Sequence, residues 1–100
     1  MKKLKDEIQE VINLYRSQKF LEAELLCKKI LEKNPAIPFL YNLLGLILTA
    51  QRKNVEAIKY YEKGINIKPD YAMIYNNLGT VYKSIRDNAK SERYYKKSIQ

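Results

Sequence analysis

The chain has 100 residues, of which 46% are hydrophobic and 30% are charged, and its formal net charge is +8. A single cysteine and the absence of histidine exclude an intramolecular disulfide bond and the common zinc sites. Three glycines and three prolines are too few for a loop-rich β fold, and no apolar run is long enough to cross a bilayer.

The first predicted helix pair occupies about residues 4–35. Its first helix, over about residues 4–17, carries Ile8, Val11 and Ile12 at helical spacing. The second helix lies in the segment FLEAELLCKKILEKNP and ends at Pro35, because proline cannot continue a helix.

The second predicted pair ends at Pro69 and has apolar or small residues at spacings of three and four. They are Tyr41, Leu44, Gly45 and Leu48 in the first helix, and Ala57, Tyr61, Gly64 and Ile65 in the second. Pro38 suits the first turn of its helix, and the polar segment RKN separates the two helices. We expect Asn54 to cap the second helix, because its side chain can accept a bond from a free backbone N–H.

The third predicted pair repeats the second after 34 residues, with ten identical residues between the copies. Asp70 and Asn88 are the predicted caps of its two helices, and Gln100 falls inside the second. Gly45 recurs as Gly79 inside a predicted helix, where glycine costs about 1 kcal/mol relative to alanine. Its recurrence at equivalent positions predicts a close approach between two helices.

This pattern resembles the tetratricopeptide repeat, in the form found in bacterial arrays. The second copy carries the motif in Tyr41, Leu44, Gly45, Leu48, Ala57, Tyr61 and Pro69, and the third in Tyr75, Leu78, Gly79, Tyr82, Ser91 and Tyr95. The first copy matches only through Leu14, Ala23, Ile30 and Pro35. The family's usual glycine at the turn within a pair is replaced by Arg52 and Arg86, so we expect that turn to differ slightly.

The resemblance implies an all-α, right-handed superhelical solenoid of three antiparallel helix pairs. We expect one domain over residues 1–100, with repeats at about 4–37, 38–71 and 72–100, the last ending without a capping helix. The predicted core comprises Leu14, Ala23, Cys27, Leu44, Gly45, Leu48, Ala57, Tyr61, Leu78, Gly79, Tyr82 and Tyr95.

The resemblance also implies a non-catalytic scaffold that binds a peptide or a partner helix in a concave groove lined by the first helix of each pair. The implied groove residues are Phe39, Asn42, Leu43, Leu46, Thr49, Met73, Asn76, Asn77, Thr80 and Lys83. Asn42 and Asn76 are equivalent amides that can both donate to and accept from a peptide backbone; alternatively, they bond only to neighbouring helices or to water. The positions of the family's carboxylate clamp hold mostly apolar residues, which disfavours binding of chaperone tails: Ile8, Ile12, Leu43, Met73 and Asn77.

The sequence leaves one alternative function open and disfavours two others. The repeats could form an N-terminal targeting or oligomerisation module of a larger enzyme, such as a sulfotransferase or a glycosyltransferase. Nucleic-acid binding is disfavoured, because five of the nine tyrosines occupy predicted core positions. Catalysis is disfavoured too, because the sequence has no Gly-rich phosphate loop, no metal-ligand cluster and no Ser–His or Cys–His pair. We therefore predict no enzyme activity, no cofactor and no metal.

The sequence also allows predictions of where the protein is located and of whether its copies associate. The segment MKKLKDEIQE has no apolar run behind its lysines and is not a signal peptide, so we expect a cytoplasmic protein without membrane contact. We also expect weak association between copies through the C-terminal repeat, most simply about a two-fold axis. The expected surface is an apolar patch that includes Tyr82 and Ile85.

Overall fold

The computed structural model describes residues 2–99, which form six α-helices and no strand. The helices are α1 (Leu4–Arg16), α2 (Phe20–Lys33), α3 (Pro38–Ala50), α4 (Asn54–Ile67), α5 (Ala72–Ser84) and α6 (Asn88–Ser98). The prediction of an all-α solenoid of three helix pairs is confirmed. The prediction that Gln100 continues the last helix falls outside the described residues.

The first helices of the pairs lie closer together than the second helices. Helix α3 contacts both α1 and α5, whereas within residues 2–99 α4 contacts neither α2 nor α6 to a comparable extent. Each pair packs on the next because its first helix sits against both helices of the preceding pair. Helices α1, α3 and α5 therefore line the inner surface of the array, and α2, α4 and α6 form its outer surface.

The core follows the predicted pattern in the middle of the chain and loosens at its ends. Ten of the twelve predicted core residues are buried, and the exceptions, Leu14 and Tyr95, are half-buried. Both exceptions lie in an end repeat, where one side of the helix pair has no neighbouring repeat among the described residues. Among the buried apolar residues outside the predicted core are one pair in α3 and its equivalents in α5: Leu40, Ile47, Ile74 and Val81.

The two predicted close approaches are present. A Cβ atom built on Gly45 would overlap the ring of Tyr61, and one built on Gly79 would lie 2.7 Å from Cδ1 of Tyr95. Each glycine therefore lets the second helix of its pair place an aromatic ring directly on the backbone of the first.

Two of the helices begin one residue away from the predicted caps. Asn54 and Asn88 are the first residues of α4 and α6, and the capping position is occupied by Lys53 in one case and by Asp87 in the other. The Asp87 carboxylate accepts from the Lys90 N–H at 3.2 Å, whereas Lys53 makes no side-chain cap bond. The cap predicted at Asp70 is likewise wrong, because Tyr71 holds that position.

Every turn within a helix pair contains a residue in the left-handed conformation. The φ angles are 62° at Gln18, 63° at Arg52 and 65° at Arg86. This conformation costs an L-residue about 1–2 kcal/mol, and glycine adopts it without that steric cost.

Replacing Arg52 or Arg86 by glycine should therefore stabilise the protein. We expect a gain of about 0.5–1 kcal/mol for each, because the relief of strain exceeds the extra entropy that glycine has in the unfolded chain. Urea denaturation of Arg52→Gly and Arg86→Gly measures the gain. Arg52→Ala is the control, since it removes the same charge but keeps the strained conformation, and it should give no gain. Equal stabilisation by alanine would show that the charge, and not the backbone, is responsible.

Candidate functional site

The part of the inner surface that the second and third repeats contribute is formed by α3 and α5. Phe39 is 39% exposed and its equivalent Met73 is 56% exposed, so each helix presents one large apolar side chain near its start. Farther along α5, Asn76, Thr80 and Lys83 are also exposed. Five of the ten predicted groove residues thus share one accessible surface.

Two predicted groove residues, Asn42 and Leu43, are instead buried in the wall of the groove. They are only 2% and 5% exposed, which leaves them almost no surface to offer a ligand. The Asn77 side-chain amide donates to Oδ1 of Asn42 at 2.8 Å, so this asparagine pair joins the second repeat to the third. Asn76 occupies the equivalent position to Asn42, but no described repeat covers it, and it stays exposed.

The remaining groove residues are partly engaged within their own repeats. Leu46 and Thr49 are half-buried, and the Thr49 hydroxyl donates to the Gly45 carbonyl at 2.7 Å. The Thr80 hydroxyl lies 3.2 Å from the Asn76 carbonyl and 2.9 Å from the Tyr95 hydroxyl. The polar groups with spare bonding capacity are therefore the Asn76 amide and the Lys83 ammonium.

Two neighbouring clefts extend the inner surface to the last helix. The larger, of about 470 Å³, lies between α5 and α6, and its lining includes Asn76, Lys83, Tyr95 and Ile99. The smaller, of about 310 Å³, is lined by Ala72, Met73, Asn76, Asn77 and Ser98. Because Asn76 lines both clefts, the exposed residues of α5 open directly onto the end of the solenoid.

The charge on this surface is one-sided. Helices α3 and α5 contain no acidic residue, and Lys83 is their only charged side chain. The acidic residues of the first helices are all in α1, at Asp6, Glu7 and Glu10. The surface formed by the second and third repeats is therefore apolar and amide-bearing at one end and positive at the other.

Glu24 is a buried polar residue that the sequence analysis did not identify. It is 4% exposed and accepts from Lys28 at 2.8 Å, from Gln51 at 2.8 Å and from Lys53 at 3.1 Å. Burial by itself raises the pKa of its carboxyl group, but the bonds from Lys28, Gln51 and Lys53 outweigh burial and lower the pKa to about 2. Glu24 is therefore ionised near neutral pH and ties the first repeat to the second.

Five tyrosines form stacked pairs between the first and second helices of a repeat. The rings of Tyr41 and Tyr60 lie 6.4 Å apart, and those of Tyr75 and Tyr94 lie 6.2 Å apart. Tyr94 also stacks on Tyr82 at 5.5 Å. Because these rings cover one another, they offer little free surface on which a nucleic-acid base could stack.

The apolar patch expected at the C-terminal repeat is smaller than predicted. Tyr82 is 8% exposed, so the prediction that it is bare is wrong, and the reason is its stacking on Tyr94. Ile85 and Ile99 are exposed by 43% and 85%.

Cys27 has the environment of a core residue. It is fully buried, and its thiol lies 3.6 Å from the Leu40 carbonyl. Burial raises its pKa to about 12, so the thiol remains protonated near neutral pH and is a poor nucleophile. Within residues 2–99, no group of three or more His, Cys, Asp or Glu side chains could hold a metal ion.

Two models of known protein families match this chain. A TPR repeat model matches residues 45–85, and a tetratricopeptide repeat model matches residues 72–100. The chain therefore belongs to the tetratricopeptide repeat family. A search of curated proteins found no match.

Solved structures share this fold at low sequence identity. A structure of MamA (MSR-1, C2) has a TM-score of 0.87 and 20% identity, with 97% of this chain and 56% of that chain covered. The Yersinia enterocolitica type III secretion translocator chaperone SycD has a TM-score of 0.93 and 17% identity, with coverages of 95% and 72%. For the CopN–Scc3 complex the values are 0.88 and 13%, with coverages of 95% and 56%. The chain thus spans just over half the length of that MamA structure.

None of the helices within residues 2–99 is both long enough and apolar enough to span a membrane.

Proposed function

We propose that this protein is a non-catalytic scaffold that binds a peptide or a partner helix along the inner surface of α3 and α5. The observation that carries the proposal is the exposed set of Phe39, Met73, Asn76 and Lys83 on α3 and α5, two helices that contain no acidic residue. Exposed apolar side chains that share a surface with free hydrogen-bonding groups are typical of protein interaction sites.

Each exposed residue has a distinct part in this proposal. Phe39 and Met73 supply apolar contact area, which stabilises a complex by about 25 cal/mol for each Å² removed from water. The Asn76 amide can donate to a backbone carbonyl and accept from a backbone N–H of the same ligand. Lys83 favours an acidic group at the end of the ligand nearest the C-terminus of α5. The expected ligand therefore combines apolar side chains with one acidic group.

Asn42 and Leu43 have indirect parts in the proposal. They hold the groove wall in shape through the Asn42–Asn77 bond and the packing between repeats. Leu46 and Thr49 form the half-buried floor between Phe39 and the turn at the end of α3.

In this proposal the chain is a single domain of three repeats, at about 4–37, 38–71 and 72–100, and it acts in the bacterial cytoplasm. The lone buried cysteine supports the proposed location, because it suits a reducing compartment. Two of the similar structures are a secretion chaperone and a two-protein complex, and partner binding by this chain would be in keeping with them. A targeting or oligomerisation role within a larger enzyme is the second proposal, favoured by the open clefts at α5 and α6.

Substitutions in the groove test the proposal. A peptide array identifies a ligand, and titration then measures its affinity for Met73→Glu and Asn76→Ala. We expect affinity to fall at least about tenfold for Met73→Glu, because a buried contact becomes an unpaired charge. For Asn76→Ala we expect a loss of about 3–10-fold, the worth of one or two hydrogen bonds.

The matched control is Val55→Glu, which places the same new charge on an exposed apolar residue of α4, outside the groove. It should leave the affinity unchanged. Full affinity in the Met73→Glu variant would contradict the groove assignment. Binding that preferred RNA or DNA and weakened steeply with salt would instead support the nucleic-acid alternative.

A further inference from the structure

The junction between the first and second repeats contains two charged links. Glu24 and Lys28, one turn apart on α2, supply one side of the junction. Lys28 Nζ lies 3.0 Å from a Glu56 carboxylate oxygen, and Lys53 Nζ lies 3.1 Å from a Glu24 carboxylate oxygen. The first repeat thus contributes Glu24 and Lys28 to the junction, and the second repeat contributes their partners of opposite charge.

The exposed C-terminal side of the third repeat presents the same glutamate and lysine. Glu92 and Lys96 are two repeat lengths beyond Glu24 and Lys28, and they lie on α6 as the earlier residues lie on α2. The two side chains pair with each other at 3.2 Å, as Glu24 and Lys28 do at 2.8 Å. They are about 70% exposed, whereas Glu24 is buried under the second repeat.

The exposed side of the first repeat carries the equivalents of Lys53 and Glu56, the residues that pair with Glu24 and Lys28 at the first junction. Lys19 and Glu22 stand one repeat length before Lys53 and Glu56, at the start of α2. Both are exposed, and neither forms an ion pair within residues 2–99.

This match does not follow from the repeat itself, because the junction between the second and third repeats lacks it. There the positions of Glu24 and Lys28 hold Ile58 and Glu62. The positions equivalent to Lys53 and Glu56 hold Asp87 and Lys90. The exposed surfaces of the first and third repeats therefore carry the charge pattern of the first junction and not that of the second.

The hydrogen bond between two side-chain amides at the second junction could also form between two copies of the chain that are placed in this register. Asn77 donates to Asn42 across the second junction at 2.8 Å. Asn76, which is exposed, stands where Asn42 stands, and Gln9 of α1, also exposed, stands two repeats before Asn77. A helix α1 placed against the third repeat as α5 is placed against the second would bring a Gln9 amide to Asn76.

The polar character of both ends suits the same arrangement. Ile74 packs against Gly64 at the second junction, and the equivalent residues at the free ends are Asp6 and Ser98. The Ser98 hydroxyl now donates to the Tyr95 carbonyl at 2.6 Å, and in the proposed contact it would rotate to donate to the carboxylate that takes the place of the isoleucine. The 310 Å³ cleft that Ser98 lines is at this position.

We propose that the C-terminal side of the third repeat, formed by α5 and α6, binds the first repeat of a second copy, head to tail. In this contact Glu92 pairs with Lys19 of the second copy, and Lys96 pairs with Glu22 of the second copy. Because the contact joins two different surfaces in the register that joins successive repeats, it continues the superhelix into open chains and does not form a closed two-fold dimer. The contact is weak and sensitive to salt, because its charges lie near solvent.

Two charge-swapped variants test the proposal by sedimentation velocity at rising concentration. One is Lys19→Glu with Glu22→Lys, and the other is Glu92→Lys with Lys96→Glu. Both keep the net charge, and all four positions are exposed, so the fold should persist, as circular dichroism would verify. We expect the wild type to associate, and each swapped variant alone to associate at least about tenfold more weakly.

Mixing the two variants should restore the association to the wild-type level, because each mismatched end then meets a matching one. The chain with all four substitutions should associate like the wild type for the same reason. A wild type that stays monomeric at millimolar concentration would overturn the proposal. So would undiminished association of the Lys19→Glu, Glu22→Lys variant, which would indicate a two-fold contact through the C-terminal repeat alone.

Discussion

Substituting Gly45 by alanine should destabilise the protein by about 2 kcal/mol, although alanine is the better helix former. The added Cβ atom would overlap the Tyr61 ring, which is 1% exposed and has no room to withdraw. Overpacking a core costs about 1–3 kcal/mol, and a direct overlap with a fixed ring belongs at the upper end of that range. The gain in helix propensity offsets about 1 kcal/mol of this cost. For a chain of this size the net loss corresponds to a fall in melting temperature of about 8–16 °C.

Gly79→Ala is the matched control for this prediction. The added Cβ atom would lie 2.7 Å from Tyr95, but Tyr95 is only half-buried and belongs to the last helix, which can shift outward. We expect a loss of about 1 kcal/mol or less. Thermal unfolding of both variants measures the difference, and combining Gly45→Ala with Tyr61→Leu should recover part of the stability. A stabilised Gly45→Ala variant would show that the helices do not touch there.

Removing the Glu24 carboxylate should cost about 2 kcal/mol at neutral pH. The carboxyl pKa is lowered from 4.5 to about 2, and each unit is worth about 1.4 kcal/mol. We reduce the total because Lys28 and Lys53 are 35% and 42% exposed and regain water when Glu24 is absent. Urea denaturation of Glu24→Gln, which keeps the shape of the side chain, measures the loss.

The same residue should make stability depend on pH. Because the folded-state pKa lies below the unfolded value, the contribution of Glu24 is complete above about pH 5 and disappears as the pH falls from 4.5 towards 2. The difference between wild type and Glu24→Gln should therefore shrink over this range and vanish near pH 2. A difference that stayed constant down to pH 2 would contradict the buried ion pair.

The helices and the main packing contacts could be predicted from the sequence because they depend on local patterns. The spacing of Tyr41, Leu44 and Leu48 defines one helix face, and the recurrence of Gly45 as Gly79 indicates a close approach. Both features involve residues within one repeat, so a single repeat is enough to specify them.

Features that depend on the next repeat could not be predicted in the same way. Asn42 and Asn76 occupy equivalent positions in their repeats, but only Asn42 is covered by a following repeat and becomes buried. Glu24 resembles a solvated helix residue until the second repeat brings Gln51 and Lys53 over it. The caps were missed by one residue because the left-handed residue at Arg52 or Arg86 fixes where the next helix begins.

The central claim, that a ligand binds along α3 and α5, is tested most directly by mapping the bound peptide with amide chemical shifts. The claim predicts perturbations that cluster at Phe39, Met73, Asn76 and Lys83 and that disappear in the Met73→Glu variant. Perturbations confined to the outer helices α2, α4 and α6, with those four residues unchanged, would contradict it.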